Sequence, residues 1–354
     1  MQTQPPPTMA EVEYHPTAYR THTLGQIQEI GSDLIGKEVK ICGFMEASRG
    51  KGKICFMDIR DGTGRCQIFF KEGAVDEKTL TEAQSIARES TVQIIGMVAE
   101  KRPPKVAEGE PTPLPTYEVV ASTLNVITEA DTPLPVGVTD TVSVGLDTRL
   151  DNRYMDLRRA HVSAMFTLRS RVLQYGREHL ITEGFKEINS PKIIASASEG
   201  GTNLFPMMYF DTPAFLSQSP QLYKQLTILG GMERVFEIGP AFRAENHDTY
   251  RHLNEFISFD IEGAWMDDDD VMAVQERMIN HIWQSVADND QEQIDIINQY
   301  RVSQDEQPIT VEVPSIPFPR IEYCDAIKMI QDAGEDISWG DDIESSHCDI
   351  IAAI

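Results

Sequence analysis

Two runs of sequence decide the fold of the C-terminal half: Val235-Phe236-Glu237-Ile238-Gly239-Pro240-Ala241-Phe242-Arg243-Ala244-Glu245 and Glu255-Phe256-Ile257-Ser258-Phe259-Asp260-Ile261-Glu262. Both alternate in the manner of β-strands, whose successive side chains point to opposite faces. The polar segment 246–250 predicts a loop that joins them as antiparallel strands. One face of the second strand is apolar and suits a core: Ile257, Phe259 and Ile261. Its other face is polar apart from one ring: Phe256, Ser258, Asp260 and Glu262.

The polar face of this hairpin has side chains that suit a nucleotide. Alternation puts Arg243 and Glu245 on one face of the first strand, near Phe256 of the second. A guanidinium binds a phosphate through two parallel hydrogen bonds, a carboxylate accepts from the adenine amino group, and a ring stacks on the base. The residues alone leave a simpler interpretation open, namely a surface salt bridge beside a core phenylalanine.

Residues 21–128 have a different pattern, in which short β-type runs are separated by turn residues. The runs are 39–44, 54–60, 66–70, 91–98 and 117–126, with a helical stretch at 78–89. Asp61-Gly62-Thr63-Gly64 predicts a hairpin turn between the second and third runs. Five strands with one helix fit a small barrel such as the OB-fold. The Pro- and Glu-rich stretch 102–115 predicts a loop before the last strand.

Three further segments complete the predicted domain organisation. Residues 1–20 form a disordered tail without the basic start and apolar run of a signal peptide. Residues 129–155 form a polar connector. Residues 156–354 form an α+β domain that begins with a helix at 160–183, which Gly184 ends. No stretch approaches the ~20 consecutive apolar residues of a membrane span.

The charge of the chain is unevenly distributed. The 354 residues have a net charge of −25, which taken alone argues against a nucleic-acid partner. Residues 36–71, however, contain eight basic and four acidic side chains, a local balance of +4. The acidic run 267–270 predicts a solvated helix start. The five cysteines are odd in number and lack CxxC spacing, which argues against a disulfide framework or a zinc site and favours a reducing cytosol.

Two segments of the C-terminal domain resemble signature motifs of the class II aminoacyl-tRNA synthetases. Phe242-Arg243-Ala244-Glu245, followed by Arg251-His252-Leu253-Asn254-Glu255-Phe256, is similar to the second motif. Gly184-Phe185-Lys186-Glu187-Ile188-Asn189-Ser190-Pro191 resembles the first motif, a helix and strand at the dimer interface. The resemblance implies an N-terminal OB-fold barrel, a class II catalytic domain with an antiparallel sheet flanked by helices, and a homodimer formed through the first motif.

Two further segments resemble the aspartyl-tRNA synthetases of the archaeal and eukaryotic type. Ser196-Ala197-Ser198-Glu199-Gly200-Gly201-Thr202-Asn203-Leu204-Phe205 is similar to their mobile loop, in which Glu199 matches the glutamate that meets the substrate ammonium. Gln218-Ser219-Pro220-Gln221-Leu222-Tyr223-Lys224-Gln225 is similar to their aspartyl signature. In this signature, Ser219 suits a helix cap and Pro220 the first helical position.

Lys224 gives the choice of amino acid a physical basis. Lys224 and Gln221 lie three residues apart, on one face of the predicted helix. The resemblance implies that both hold the amino acid, with Lys224 on its side-chain carboxylate. A partly buried ammonium favours a carboxylate, whereas the neutral amide of asparagine would leave its charge poorly compensated, at a cost of several kcal/mol.

The resemblance also implies the other site residues. Those for aspartate are Glu199, Gln221, Lys224 and Arg243. Those for ATP are Arg243, Ala244, Glu245, Arg251, His252, Leu253 and Phe256, with Arg243 as the catalytic residue at the α-phosphate. Those for the anticodon are Arg49, Phe56 and Gln67, of which Phe56 stacks on a base and Gln67 hydrogen-bonds one, as OB-folds do. For Phe56 alone, a core position is the simpler interpretation.

By this resemblance the chain is expected to be an aspartate–tRNA ligase. Its partners would be tRNA-Asp, ATP with magnesium, and L-aspartate, in the cytoplasm, and use of tRNA-Asn stays open. The resemblance runs from about Tyr19 to Asp342. No counterpart of the third family motif, with its arginine for ATP, follows Phe318. We therefore expect a C-terminally truncated ligase, with no metal ligands in this chain because the family's magnesium carboxylates would lie in the missing segment.

Two other functions remain as alternatives at this stage. The chain could be a tRNA-binding module without catalysis, in which only the barrel retains its function. It could also be an asparagine synthetase descended from the same catalytic core. Such relatives lack the anticodon barrel, so the set Arg49, Phe56 and Gln67 argues against the second alternative.

Overall fold

The computed structural model describes residues 14–102, 116–139, 143–197, 203–246 and 252–353. Contacts between residues divide the chain into two compact units. Unit 1 comprises Met1–Ala164 and Gln299–Glu306, and unit 2 comprises Met165–Asn298 and Gln307–Ile354. Most of the predicted tail 1–20 and nearly all of the predicted loop 102–115 lie outside the described residues. Within the described ranges, none of the helices combines the length and the apolar character needed to cross a membrane.

Unit 1 contains a closed barrel of five strands in the order β1-β2-β3-β5-β4. The strands are β1 Glu38–Arg49, β2 Ile54–Arg60, β3 Arg65–Lys71, β4 Thr91–Glu100 and β5 Tyr117–Thr128. The helices of the barrel region are α1 Leu24–Glu29, α2 Gly31–Leu34 and α3 Glu77–Ser85. The five predicted strands and the predicted helix are all found, and the closed five-stranded barrel confirms the predicted OB-fold.

Alternation along the strands forms the core of this barrel. In β2, the fully buried side chains of Cys55, Met57 and Ile59 alternate with partly exposed ones such as Phe56. Each inward side chain removes apolar area from water, which stabilises the barrel by roughly 25 cal/mol per Å². The outward side chains make little contribution of this kind and are available for a ligand.

The turn between β2 and β3 depends on one carboxylate. The Asp61 amide donates to the carbonyl of Gly64 at 3.0 Å, and the Asp61 side chain accepts from the amides of Thr63 and Gly64. These bonds close the predicted hairpin. The resulting antiparallel register places Phe56 opposite Phe69.

The predicted connector 129–155 is more structured than its polar composition indicated. It contains α4 Leu146–Asp151, the start of α5 Arg153–Asp156, and an apolar cluster formed by Val136, Val138 and Met155. The carboxylate of Asp156 is fully buried, and Arg149 donates to it at 2.8 Å. Burial alone would raise the pKa of Asp156, but the hydrogen bond and charge of the surrounding arginines outweigh it and lower this pKa.

The boundary between the units differs from the predicted start of the second domain at residue 156. Unit 1 extends to Ala164 and includes Gln299–Glu306. An aromatic contact links these two parts of unit 1, in which the rings of His161 and Tyr300 lie parallel with centroids 3.5 Å apart. Because these residues are 139 positions apart in the chain, sequence patterns of local range do not reveal this contact.

Unit 2 has two three-stranded sheets. Its strands are β6 Lys186–Glu187, β7 Ile193–Ile194, β8 Pro206–Tyr209, β9 Thr212–Leu216, β10 Arg234–Phe242 and β11 Glu255–Gly263. Its helices, two of which extend into unit 1, are α6 Ala160–Thr182, α7 Gln221–Leu229, α8 Asp268–Asn289, α9 Gln291–Ser303, α10 Tyr323–Asp332 and α11 Ser345–Ala352. The predicted helix at 160–183 is confirmed as α6. Asp267 caps α8 through a reciprocal bond with Asp270, so the acidic run is the expected helix start.

The sheet that carries the deciding sequence has the order β11-β10-β6. β10 and β11 pair antiparallel as predicted, with Glu237 opposite Asp260 and Val235 opposite Glu262. The expected antiparallel pair forms the main part of this sheet, and the two-residue β6 joins β10 in parallel. β6 follows α6 closely in the chain and runs in the same direction as β10.

The predicted core face of β11 is largely confirmed. Phe259 and Ile261 pack against a cluster that includes Leu180 and Phe236. Ile257 is the exception, because it pairs with Pro240 outside this cluster and remains 38% exposed. The second, three-stranded sheet has the order β7-β9-β8 and leads into α7.

The stacked His161 ring predicts a pH dependence of the stability of unit 1. Burial, with help from Arg159 and Arg149, lowers the pKa of His161 to about 4. Between pH 6.5 and 4 the unfolded chain therefore binds a proton that the folded chain does not, so stability falls as the pH decreases. We expect the free energy of unfolding of His161→Phe, which keeps a stacking ring, to decrease less as the pH falls. Urea unfolding followed by circular dichroism measures this free energy.

The exposed His15 provides the control for this experiment. His15→Phe should retain the pH dependence of the parent chain. An equal pH dependence in His161→Phe and in the parent chain would contradict the assignment.

Candidate functional site

Lys224 is the buried residue of α7, with only 4% of its surface exposed. Its ammonium nitrogen Nζ lies 3.2 Å from Oδ1 of Asp260, 3.1 Å from the carbonyl oxygen of Ile261 and 3.6 Å from Oε2 of Glu262. A buried ammonium is tolerated only when oxygen atoms compensate its charge. The predicted lysine therefore meets the predicted polar face of β11, and these two carboxylates are its partners.

Gln221 lies one turn before this lysine and also contacts one of these carboxylates. Its Nε2 donates to Oε2 of Glu262 at 3.2 Å. The two residues share one helical face, as predicted from their spacing. The helix α7 begins at Gln221, one position later than predicted, with Pro220 in the capping position. The predicted capping bond of Ser219 is present, because its hydroxyl accepts from the amide of Gln221 at 3.3 Å. Ser219 remains in the preceding segment, where its carbonyl accepts from the hydroxyl of Ser217 at 2.9 Å.

Asp260 is held from two sides. Oδ1 accepts from Lys224, and Oδ2 accepts from the hydroxyl of Ser258. The carboxylate therefore has a fixed orientation on the face of the sheet. Sequence reasoning placed Asp260 and Glu262 on the correct face but did not recognise them as partners of the lysine. The sequence signal that could have indicated these partners is the position of Phe256, Ser258, Asp260 and Glu262 at every second residue of one strand.

Arg243 follows β10 and lies beside an aromatic ring. The carbon of its guanidinium is 5.6 Å from the centroid of Phe256, a cation–π distance. The prediction that Arg243 and Glu245 share a strand face is wrong, because β10 ends at Phe242. Asn254 holds the segment instead, since its Nδ2 donates to the carbonyls of both residues, at 2.8 and 2.9 Å. Sequence reasoning did not single out this asparagine.

The remaining residues predicted for ATP and aspartate are only partly described. Glu199 and Arg251 lie outside the described residues. Ala244 follows Arg243 and is partly buried, whereas His252 and Leu253 are exposed.

A second candidate site lies on the outer face of the barrel. The rings of Phe56 and Phe69 are stacked, with centroids 4.9 Å apart and an angle of 16° between planes. Both side chains are partly exposed, so the alternative of a core position for Phe56 is wrong. Sequence reasoning did not single out Phe69, although it lies two residues after Gln67 in β3 and therefore on the same face.

Polar side chains flank these rings. Arg49 pairs with Phe56 in the β1–β2 register, and its Nη2 donates to Oδ2 of Asp58 at 2.8 Å. The Nε2 of Gln67 donates to Oε2 of Glu118 at 3.0 Å. Burial raises the pKa of Glu118, against the opposing effect of this hydrogen bond. Asp58 also lines a groove of about 520 Å³ on the barrel. The predicted set Arg49, Phe56 and Gln67 therefore occupies one continuous surface across three strands.

The chemistry of the two sites differs. The described residues form no group of three or more His, Cys, Asp or Glu side chains suited to a metal ion. In unit 2, a buried ammonium between two carboxylates suits a ligand that carries both a positively and a negatively charged group. In unit 1, two stacked rings with an exposed arginine and an amide suit an unpaired base.

Comparisons with protein families identify both regions. The family of tRNA synthetases class II (D, K and N) matches residues 145–349, and the OB-fold nucleic acid binding domain matches residues 39–127. The aspartate–tRNA(Asp/Asn) ligase of Methanococcus aeolicus is 41% identical over 323 residues, which cover 91% of this chain and 69% of that protein. The aspartate–tRNA(Asp) ligase of Thermococcus kodakarensis is 41% identical over 328 residues, which cover 92% of this chain and 70% of that protein.

Solved structures show the same similarity. The asparaginyl-tRNA synthetase of Pyrococcus horikoshii, in complex with asparaginyl-adenylate, has a TM-score of 0.74 and 32% identity, over 89% of this chain and 68% of that chain. The aspartyl-tRNA synthetase of Entamoeba histolytica has a TM-score of 0.71 and 29% identity, over 89% of this chain and 64% of that chain.

The buried ammonium makes a prediction about stability. Lys224→Met leaves Asp260 and Glu262 without the cation that they share, and breaking a buried pair in this way costs about 3 to 5 kcal/mol. Because both carboxylates are partly exposed to water, we expect a value near the lower end, about 3 kcal/mol, in urea unfolding. The control Lys328→Met removes an exposed lysine of α10 and should cost less than about 1 kcal/mol. Equal stability of the two variants would contradict the assigned role.

Proposed function

This chain belongs to the class II tRNA synthetases of the D, K and N family, and on that premise we propose that it is an aspartate–tRNA ligase. The observation that carries the proposal is the buried ammonium of Lys224 next to Gln221, on a face of the sheet that also carries Arg243 and Phe256 at its end. A cation in this position selects an acidic amino acid over a neutral or basic one.

The hydrogen-bonding capacity of Lys224 supports aspartate as the substrate. An ammonium has three donors. Two of them are taken by Asp260 and by the carbonyl of Ile261, whereas Glu262 at 3.6 Å is beyond hydrogen-bond distance. We assign the third donor to the side-chain carboxylate of aspartate. Asparagine would offer only a carbonyl dipole there, which compensates a buried charge less well.

The proposed reaction has two steps. An oxygen of the α-carboxylate attacks the α-phosphorus of ATP, and the bond to the bridging oxygen breaks, so that pyrophosphate leaves with its electron pair. The terminal ribose hydroxyl of tRNA then attacks the activated carbonyl, loses its proton, and releases AMP. Positioning and charge neutralisation are enough for both steps. Arg243 would neutralise charge at the α-phosphate, and its contact with Phe256 orients it for this task.

The nucleotide is proposed to enter with Mg²⁺ bound to its phosphates. Among the described residues, no group of three or more His, Cys, Asp or Glu side chains is suited to hold a metal ion. Glu199 would meet the substrate ammonium, and Arg251 and His252 would contact the outer phosphates, by the resemblance of their segments to the family motifs. A homodimer through the segment 184–191 and a cytoplasmic location, which the five free cysteines support, complete the proposal.

The proposed nucleic-acid partner is tRNA-Asp, bound by its anticodon. Phe56 and Phe69 offer the stacking surface, and Arg49 and Gln67 offer polar contacts to phosphate and base. Relatives named for tRNA-Asp alone and for both tRNA-Asp and tRNA-Asn are equally similar at 41% identity. Sequence identity therefore does not distinguish the two specificities, and charging assays with both tRNAs would test the use of tRNA-Asn.

The first test is ATP–pyrophosphate exchange by the 354-residue chain with aspartate, asparagine or lysine. We expect exchange with aspartate alone, which would also show that another segment of this chain replaces the third motif. Arg243→Ala should reduce it by about 100-fold or more, because the charge at the α-phosphate loses its partner. Met97→Ala, at an exposed position of β4, is the control and should leave the rate unchanged. Near-normal exchange by Arg243→Ala would refute the role of Arg243, and tRNA binding without any exchange would favour the non-catalytic alternative.

The second test concerns the stacked rings of the barrel. Loss of one base-stacking ring costs about 1 to 3 kcal/mol, so Phe56→Ala and Phe69→Ala should each weaken tRNA-Asp binding by about 5- to 150-fold. Pyrophosphate exchange should be unaffected in both. Filter binding at one fixed salt concentration measures the affinity, again with Met97→Ala as the control. Unchanged affinity in both variants would refute the proposed anticodon surface.

A further inference from the structure

We propose that the ion pair between Lys192 and Glu237 is a positioning device for the aspartate pocket, an inference that rests on the proposed function. Neither residue belongs to the predicted site. Glu237 has only 2% of its surface exposed, and it lies on the same face of the sheet as the pocket, directly opposite Asp260 in the β10–β11 register. A buried carboxylate in such a position needs compensation for its charge.

Two contacts compensate Glu237. Lys192 Nζ donates to its Oε1, and the backbone amide of Ser190 donates to its Oε2 at 2.9 Å. Lys192 also donates to the hydroxyl of Ser190 at 3.0 Å. Gly239 leaves room for this carboxylate, because a Cβ added there would lie only 2.8 Å from Oε1. The segment 190–192 is therefore fixed to β10 at a single buried point.

This segment in turn holds the two elements that carry the pocket. The carbonyl of Lys192 accepts from the amide of Ser217 at 3.0 Å, and the carbonyl of Ser217 accepts from the amide of Phe242 at 3.0 Å. The hydroxyl of Ser217 also donates to the carbonyl of Ser219, just before α7. One end of this path therefore leads to the helix that carries Gln221 and Lys224, and the other leads to the residue before Arg243.

The ion pair also gives each of the two carboxylates on this sheet face its own lysine. Glu237 and Asp260 are cross-strand neighbours, and like charges in such pairs repel each other. With Lys192 on Glu237, the carboxylate of Asp260 is left to Lys224. Without Lys192, Glu237 would compete for the ammonium of Lys224 and reduce its affinity for the carboxylate of the substrate.

The test uses Lys192→Met, with Lys192→Arg as the conservative variant. In pyrophosphate exchange, Lys192→Met should raise the KM for aspartate by about 10-fold or more and change the KM for ATP by less than about 2-fold. Lys192→Arg keeps the charge and should restore the KM for aspartate to within about 3-fold of the parent value. The control is Arg277→Met, which removes the cation of an ion pair with Glu183 in the same unit and should change neither KM.

Hydrogen exchange of the unliganded chain provides a readout that does not require activity. The amides of Ser217 and Phe242 should exchange at least about 10-fold faster in Lys192→Met than in the parent chain or in Arg277→Met. Unchanged amide exchange would overturn the inference, as would an equal rise of the KM for aspartate and for ATP. If the parent chain shows no aspartate-dependent exchange of pyrophosphate, the proposed function fails, and the amide rates alone then decide whether the ion pair positions these elements.

Discussion

A buried ammonium is the constraint on which the C-terminal site depends. Lys224 is almost fully removed from water, and its charge is tolerable only because oxygen atoms of β11 surround it. This requirement fixes several features at once. The strand must present carboxylates at every second position, and α7 must approach with the correct face toward the sheet. The alternation of Asp260 and Glu262 with the core residues Phe259 and Ile261 meets the first condition.

The second condition is met by a short path of hydrogen bonds rather than by apolar packing. α7 has a single buried residue, which is the lysine itself, and Leu226 and Leu229 are 63% and 84% exposed. A helix with so little buried apolar surface on its own is positioned mainly by its ends. The segment that contains Ser217 and Ser219 supplies this anchorage, so polar contacts determine the geometry of a polar pocket.

Much of this architecture follows from local sequence patterns. Period-two alternation located β10, β11 and the barrel strands, and the Asp61 turn indicated the β2–β3 hairpin. The same alternation gave the correct polar face of β11. Patterns of this kind work because a strand exposes alternate residues whatever lies beyond it. The family motifs indicated the roles of individual side chains only by resemblance, and the structure places Gln221 beside Lys224 and Arg243 beside Phe256.

What sequence could not reveal depends on contacts between distant segments. The partners of Glu237 lie 45 and 47 residues earlier in the chain, and Tyr300 lies 139 residues after His161. No periodicity encodes such pairs. The end of β10 at Phe242 was missed for a related reason, because the side chain of Asn254 takes over the bonding of the next residues across the loop.

The distribution of charge reconciles an acidic chain with anionic ligands. A net charge of −25 repels nucleic acid at long range. Within unit 1, however, many cations are already paired, as Arg60 is with Glu46 and Glu89, so the local excess of basic residues is not simply available for phosphates. The stacked rings do not depend on charge, since every base has a face that stacks. In an acidic protein, stacked rings and a few oriented polar groups are therefore the physically favoured way to recognise an unpaired base. Under the proposed function, the buried lysine of unit 2 would act in the same way on the carboxylate of aspartate, since neither site would depend on an overall electrostatic field.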